Sequence, residues 1–341
     1  MRSILLRLIA LVIVGGGAYG GWLYFDAKRV LDQPMALGNE GLVFVVERGK
    51  TLRAVSQELS MLGVLDQPEY LHWFGRIERK AGQIKAGEYQ IPAGTTPRDL
   101  LAILVRGRVV QHAITFVEGW NFRELLAAVR ADPNLTHILT SDEPERVMTQ
   151  LGYGGEHPEG RFFPDTYHFP KGTTDVSILK RAYDTMANRL AREWEQRDDD
   201  LPYATPYEAL TMASIIEKET GAASERPEIA GVFVRRLRRG MRLETDPTVI
   251  YGLGDAFDGD LKRVHLRQAT PYNTYVIKGL TPTPICMPGQ GAIHAALHPK
   301  DGDALFFVSK GDGTHYFSAT YSEHKKAVQE YQIRRRRQKQ N

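Results

Sequence analysis

Two carboxylates, Glu217 and Glu219, stand two residues apart in Ile215-Ile216-Glu217-Lys218-Glu219-Thr220, near the end of a segment with clear helix start and stop signals. A carboxyl group held against an apolar wall keeps its proton more easily, because desolvation disfavours the charged form. Cleavage of a glycosidic bond asks for such an acid, protonated near neutral pH. Thr205 suits the N-cap, Pro206 the first helical position, and Glu208 completes a T-x-x-E capping box, with Gly221 as the natural stop. At roughly 100° per residue, Leu210, Ala213 and Glu217 share one side, next to Ala209, Ile216 and Thr220. Glu219 projects nearly the opposite way, with Glu208 and Thr211. The projection therefore predicts Glu217 at the margin of the buried stripe and Glu219 facing outward. The competing expectation for Glu217 is a helix-edge glutamate paired with a Lys or Arg.

The surrounding elements follow from periodicity and breakers. Leu42–Val46 is rich in β-formers, Thr51–Leu62 has apolar residues at helical spacing, a second helix runs from Pro68 through Ile77, and Ile84–Ile91 alternates as a strand. Thr96-Pro97-Arg98-Asp99 opens a further helix that ends near Gly107. Val109–Val117 reads as a strand handing over at Glu118-Gly119-Trp120 to a helix at Asn121. Glu159–Phe169, with its Gly, Pro and aromatic residues, reads as a loop or strand edge. Long helices are expected over Val176–Trp194 and Pro227–Arg239, the latter with Arg235, Arg236, Arg238 and Arg239 on a solvated face. Thr270–Pro299 is rich in Pro and Gly and short on periodicity. A hairpin turns at Gly311-Asp312-Gly313, and a helix closes the chain from Tyr321 to Ile333.

Leu8–Phe25 is nearly uncharged and ends in Trp22, Tyr24 and Phe25, long enough to cross a hydrocarbon core with an aromatic belt at its far end. A cleaved signal peptide is the alternative, through Ala18-Tyr19-Gly20. Either reading exports the body of the chain. The fold class is α+β. Residues 1–25 form a transmembrane anchor, 26–41 a linker containing Pro34, 42–108 a small βααβ unit, 109–333 a larger mixed domain, and 334–341 a basic tail around Arg334–Arg337.

Composition excludes more than it assigns. The 341 residues allow two or three domains, and a net charge of +3 does not imply nucleic acid. Cys286 is the single cysteine, so no intrachain disulfide forms. C-x-x-C, H-E-x-x-H and G-x-x-x-x-G-K motifs are absent, which argues against cysteine-ligated zinc, zincin and P-loop chemistry. His298 and His315 belong to no metal-ligand spacing, and neither a metal nor a cofactor is expected.

Four ordered segments carry a family resemblance: Glu159-Gly160-Arg161-Phe162-Phe163-Pro164-Asp165-Thr166-Tyr167, Ala213 through Thr220, Met241 through Tyr251, and Tyr272-Asn273-Thr274-Tyr275. They resemble the endolytic murein transglycosylase, or YceG-like, family of membrane-anchored proteins, over almost the whole chain. The βααβ unit, through Val45-Glu47-Arg48-Gly49-Lys50-Thr51-Leu52, resembles a LysM module, a class associated with N-acetylglucosamine polymers; a spacer that binds nothing is the alternative. Where family members carry a Gly-Leu-Pro-Pro stretch, this chain has Gly279-Leu280-Thr281-Pro282-Thr283-Pro284.

The resemblance implies cleavage within nascent peptidoglycan strands at the inner membrane, a periplasmic catalytic domain, wall synthases as partners, and Glu217 as the catalytic acid/base. Glu159, Asp165, Glu244, Asp246, Asn273 and Tyr275 become candidate sugar contacts. Each has a structural alternative: local caps for Glu159 and Asp165, an Asx-type cap for Asp246, a turn-stabilising amide for Asn273 and a buried ring for Tyr275. A hydrolase using the same glutamate and a non-catalytic wall-binding scaffold remain open as other functions.

Overall fold

One uninterrupted helix, α1 (Arg2–Asp32), opens the chain in the computed structural model, which describes residues 2–334. Its segment Ile9–Asp32 is long and apolar enough to cross a membrane. The helix overruns the expected boundary at Phe25. Nothing in Asp26-Ala27-Lys28-Arg29-Val30-Leu31-Asp32 breaks it, and the first breaker is Pro34. Residues 26–32 are thus helix rather than linker. Asp26 accepts a hydrogen bond from the Tyr70 hydroxyl at 2.9 Å, Asp32 pairs with Arg98 at 2.9 Å, and Met35 is buried in the adjoining core. The basic tail beyond Arg334 lies outside the described residues.

The first of two compact units takes in the chain up to His112 together with His168–Gly172. It contains β1 (Leu42–Val46), α2 (Leu52–Met61), α3 (Pro68–Ile77), β2 (Gly87–Ile91) and α4 (Pro97–Arg106). This is the expected strand–helix–helix–strand order. β1 and β2 are antiparallel, with Phe44 opposite Tyr89. Thr51 and Thr96 cap the two helices they precede by accepting backbone N–H groups, and Gly107 stops α4 in the left-handed conformation. Leu52, Val55, Leu59, Leu71, Tyr89, Leu100 and Leu104 fill the core.

The second unit holds the candidate chemistry. β3 (Gln111–Thr115) and β4 (Thr166–Pro170) each run from one unit into the other, with α5 (Phe122–Ala131) and α6 (Pro144–Leu151) between them in the chain. Then follow α7 (Asp175–Glu195), α8 (Pro206–Glu219), α9 (Arg226–Arg238), α10 (Asp246–Leu253) and α11 (Gln290–Leu297). The hairpin β5 (Phe306–Ser309) and β6 (His315–Ser318) precedes α12 (Tyr321–Val328), which continues as π-helix to Arg334. α11 lies inside the stretch that periodicity left unassigned. Its sequence, Gln290-Gly291-Ala292-Ile293-His294-Ala295-Ala296-Leu297, is short and apolar nearly all round, so it shows no 3.6-residue contrast.

α8 is the centre of this unit. It packs against α11, α9, α7 and α10. Its capping box forms as expected, and every residue from Ala209 to Ile216 is buried. The hydroxyls this brings inside are satisfied: Thr211 donates to the Tyr207 carbonyl at 2.9 Å, Ser214 to the Thr211 carbonyl at 2.7 Å, and Ser214 Oγ accepts the Ile285 N–H at 3.0 Å. The helix ends at Glu219 on an extended Thr220, one turn position before the expected glycine stop.

Candidate active site

Glu217 lies at the last turn of α8 with its side chain 6% exposed. Its Oε1 accepts a hydrogen bond from Arg226 Nη2 at 2.8 Å, and its Oε2 accepts the Gly289 N–H at 2.9 Å. Arg226 is the first residue of α9, and Gly289 immediately precedes α11, so three elements of the core converge on one carboxyl group. Burial pushes its pKa above the ordinary carboxylate value; the Gly289 N–H and the Arg226 charge pull against that rise, and nearby Glu118 adds to it. Glu118 Oε2 stands 3.6 Å from the same Arg226 guanidinium. The two expectations for Glu217 both hold in part: it sits at the edge of the apolar surface, and it is paired with an arginine. A Cβ at 289 would meet the Glu118 side chain, which would have to swing away to admit it.

Glu219 does not face outward, and this corrects the helical projection. Ala209–Ile216 are buried on every side of the helix, so the direction opposite Glu217 leads into the wall of a cavity rather than to a free solvent face. Glu219 is half-buried. Its Oε2 accepts a hydrogen bond from Thr245 Oγ1 at 2.7 Å. Burial raises its pKa to about 7, opposed by the Thr245 bond and helped by the charge of Asp246. Glu219 lines an open cavity of about 400 Å³ together with Glu244, Asp246, Tyr275 and His315. The Tyr275 hydroxyl donates to Asp246 Oδ1 at 2.7 Å, and burial with that carboxylate raises the phenol's pKa. Arg236, itself buried, donates to the carbonyls of Arg242 and Leu243 and to Glu244 Oε2, fixing the loop in which Glu244 has a left-handed φ of 55°.

A second open cavity, of about 640 Å³, is lined by Glu159, Asn121, Tyr251, Tyr272 and Lys218 among others. Glu159 is 4% exposed, and its two oxygens accept the Phe122 N–H at 3.0 Å and the Tyr251 hydroxyl at 3.0 Å. Burial outweighs both and raises its pKa to about 7.

Residues 44–330 match the model of the YceG-like family. The chain belongs to the YceG-like family. It is 29% identical over 330 residues to the endolytic murein transglycosylase of Bacillus subtilis, covering 92% of this chain and 90% of that protein. It is 24% identical over 361 residues to an endolytic murein transglycosylase of Streptococcus pneumoniae; 95% of this chain is covered, but only 64% of the longer relative. The crystal structure of a YceG-like protein from Listeria monocytogenes superposes with a TM-score of 0.54 at 28% identity, covering 84% of this chain and 98% of that one.

Within this YceG-like chain the candidate sugar contacts separate into groups. Glu244, Asp246 and Tyr275 gather in the Glu219 cavity, whereas Glu159 belongs to the other one. Asp246 does not cap α10 as an Asx residue; it is the first helical residue, and its carboxylate turns to Tyr275. Asn273 and Asp165 line neither cavity. Asn273 is fully buried and spends its amide on the His265 and Gln268 carbonyls and the Tyr275 N–H, which makes it a turn clamp. Asp165 is exposed, and its Oδ1 accepts the Thr166 N–H at 2.7 Å at the start of β4.

Glu217 itself lines neither cavity. Sequence reasoning missed Arg226, Gly289 and Thr245, the direct partners of the two α8 carboxylates. Arg226 was recoverable as the first cation beyond α8; Gly289 carried no signal, because its role depends on an unrecognised helix. Nor does the expectation of no metal-binding cluster hold geometrically. Glu193, His294 and His298 place ligand atoms within 4.8 Å of one another at the other end of α11.

Proposed function

We propose that this chain is a lytic transglycosylase that cuts the bond between N-acetylmuramic acid and N-acetylglucosamine within peptidoglycan strands, with Glu217 as the single acid/base. The names of the relatives supply the substrate class. The observation that carries the residue assignment is the burial of the Glu217 carboxyl beside a cation: desolvation favours the protonated acid, and Arg226 stabilises the anion left behind. Glu217 gives its proton to the bridging oxygen as the C1–O4 bond breaks through an oxocarbenium-like state. The resulting carboxylate takes the proton of the muramic 6-hydroxyl as O6 bonds to C1. The product is a 1,6-anhydro end, no water is consumed, and Glu217 is reprotonated for the next cycle.

In this proposal Glu244, Asp246 and Tyr275 hold flanking sugar hydroxyls in the 400 Å³ cavity. The apolar segment Ile9–Asp32 is a single-pass anchor in the inner membrane, and the body is periplasmic, where nascent strands and the wall synthases implied by the resemblance lie. The βααβ unit is proposed as a LysM-like contact for the same polymer.

One observation favours a second assignment. Glu219, unlike Glu217, opens onto a cavity, and its pKa is raised to about 7. The deciding experiment is mass spectrometry of peptidoglycan digested by wild type, Glu217→Gln and Glu219→Gln. Anhydro ends that vanish only in Glu217→Gln support the proposal. Loss only in Glu219→Gln transfers the role to that residue, ordinary reducing ends from wild type make the enzyme a hydrolase, and no cleavage by wild type leaves a scaffold.

A further inference from the structure

Far along α11 from Gly289, two histidines and a glutamate converge in a way the proposed reaction does not use. His294 and His298 stand four residues apart, so both project from one side of the end of the helix. Across from them is Glu193, in the last turn of α7. His294 Nδ1 lies 2.9 Å and His298 Nε2 4.0 Å from the same oxygen, Glu193 Oε2, and the two imidazole rings are 4.4 Å apart. We propose that Glu193, His294 and His298 form a site for one divalent transition-metal ion of the zinc type.

Two histidines and a carboxylate are a common donor set for zinc, which binds imidazole nitrogen at roughly 2.0–2.1 Å and carboxylate oxygen at roughly 2.0–2.2 Å. Tetrahedral ligands at those lengths are spaced about 3.4 Å apart. The observed 2.9 and 4.0 Å bracket that spacing, so small side-chain rotations suffice.

A plain histidine–carboxylate pair would account for the 2.9 Å contact alone. It does not account for the groups behind the triad. His298 Nδ1 is held by Asp198 Oδ1 at 2.8 Å, which turns Nε2, the ligating atom, toward Glu193. Glu193 Oε1 accepts a hydrogen bond from Gln290 at 2.7 Å, and the Gln290 carbonyl oxygen is held by Arg189 at 3.0 Å, leaving Oε2 free to point at the imidazoles. Outer partners that orient an imidazole and a carboxylate in this manner are the usual support of a metal site. His294 is 58% exposed, so the fourth position is open to water. Bound there, the ion would tie the end of α7 to the end of α11, the helix whose opening glycine holds Glu217.

The test uses full-length, tag-free protein in detergent, stripped with a chelator and titrated with zinc against a chromophoric competitor and by calorimetry. The expected result is one zinc per chain at micromolar affinity or tighter, with a rise in Tm that the chelator reverses. His294→Ala changes an exposed side chain and keeps the fold, checked by circular dichroism; it abolishes that binding event. Asp198→Asn retains the site but weakens it about 10-fold or more. Absence of stoichiometric binding at micromolar zinc overturns the proposal. So does binding, or a zinc-dependent rise in Tm, that survives His294→Ala unchanged.

Discussion

Glu217 and Glu219 leave the same turn of the same helix, yet they enter different chemical surroundings. On one side a carboxyl group meets a guanidinium and a helix-opening N–H, with a second carboxylate competing for the same arginine. On the other a carboxyl group meets a threonine hydroxyl, and the nearest charges include another carboxylate, Asp246. Both are desolvated, and burial raises both. The difference lies in what can stabilise the anion. Glu217 can lose its proton to a substrate and be held as an anion by Arg226, which a proton-recycling acid/base must do. Glu219 has neutral donors only within hydrogen-bonding reach, so its ionised form is costly. The proposed assignment therefore rests on burial with a counter-charge, not on burial alone.

The largest effect should come from breaking that asymmetry directly. Glu217→Gln preserves shape and removes the transferable proton, so release of anhydro products should fall by roughly 10²–10⁴-fold. Glu219→Gln should leave turnover within about 10-fold, since it removes no proton that the proposed pathway transfers. Quantitative product analysis on one peptidoglycan preparation tests both, and a reversal of the two values would exchange the roles.

A smaller effect separates the two sides by stability. Glu219 keeps its proton in the folded chain to about pH 7, whereas an unfolded glutamate loses it near pH ~4.3. Between those values the folded state binds more protons, so stability falls as pH rises through the window, and the penalty is complete above about pH 7. Glu159 acts in the same direction over the same range. Glu219→Gln should remove its share, flattening the fall and leaving the variant more stable than wild type at pH 8 by roughly 3–4 kcal/mol. Chemical denaturation at several pH values measures this; an unchanged slope would mean that the Glu219 carboxyl is solvated.

The counter-charge can be tested on the Glu217 side. Arg226→Met removes the cation that pulls the Glu217 pKa down, so the acid should stay protonated to higher pH. The alkaline limb of the kcat/KM profile should move to higher pH, while the Glu219-linked stability curve keeps its shape. A limb that stays in place would show that Arg226 does not set the proton affinity of the working acid.

These contrasts were only partly legible in the sequence. The caps at Thr205 and Glu208 and the edge position of Glu217 could be read because each depends on neighbours within one helix. Glu219 could not, because the projection assumed a solvent face. The cue was present in Leu210-Thr211-Met212-Ala213-Ser214-Ile215-Ile216, seven residues without a charge, which suit a helix enclosed on every side. Arg226 and Gly289 reach Glu217 through tertiary packing across 9 and 72 positions of chain, a relation no local period encodes. The Glu193–His294–His298 group escaped for the same reason, since its acidic member is about a hundred residues from its histidines. The end of the first helix escaped for a different reason: the apolar run stops at Phe25, but no breaker follows and the Asp26–Arg29 pair lies within α1, which runs on to Asp32.

The smallest effect belongs to the rim of the Glu219 cavity. Tyr275 donates to an exposed Asp246, whose oxygen can take water instead once the hydroxyl is gone. Tyr275→Phe should therefore cost only about 0.5–1.5 kcal/mol of stability. If the hydroxyl pair holds a flanking sugar, that interaction exists before and during bond cleavage alike, so its loss is uniform binding: KM should rise about fivefold with kcat unchanged. A fall in kcat at constant KM would instead place Tyr275 in contact with the reacting atoms, and with it the Glu219 side of the helix. Steady-state kinetics on a soluble glycan fragment distinguishes the two, and an unchanged KM and kcat would make this cavity a structural feature of the loop that Arg236 holds.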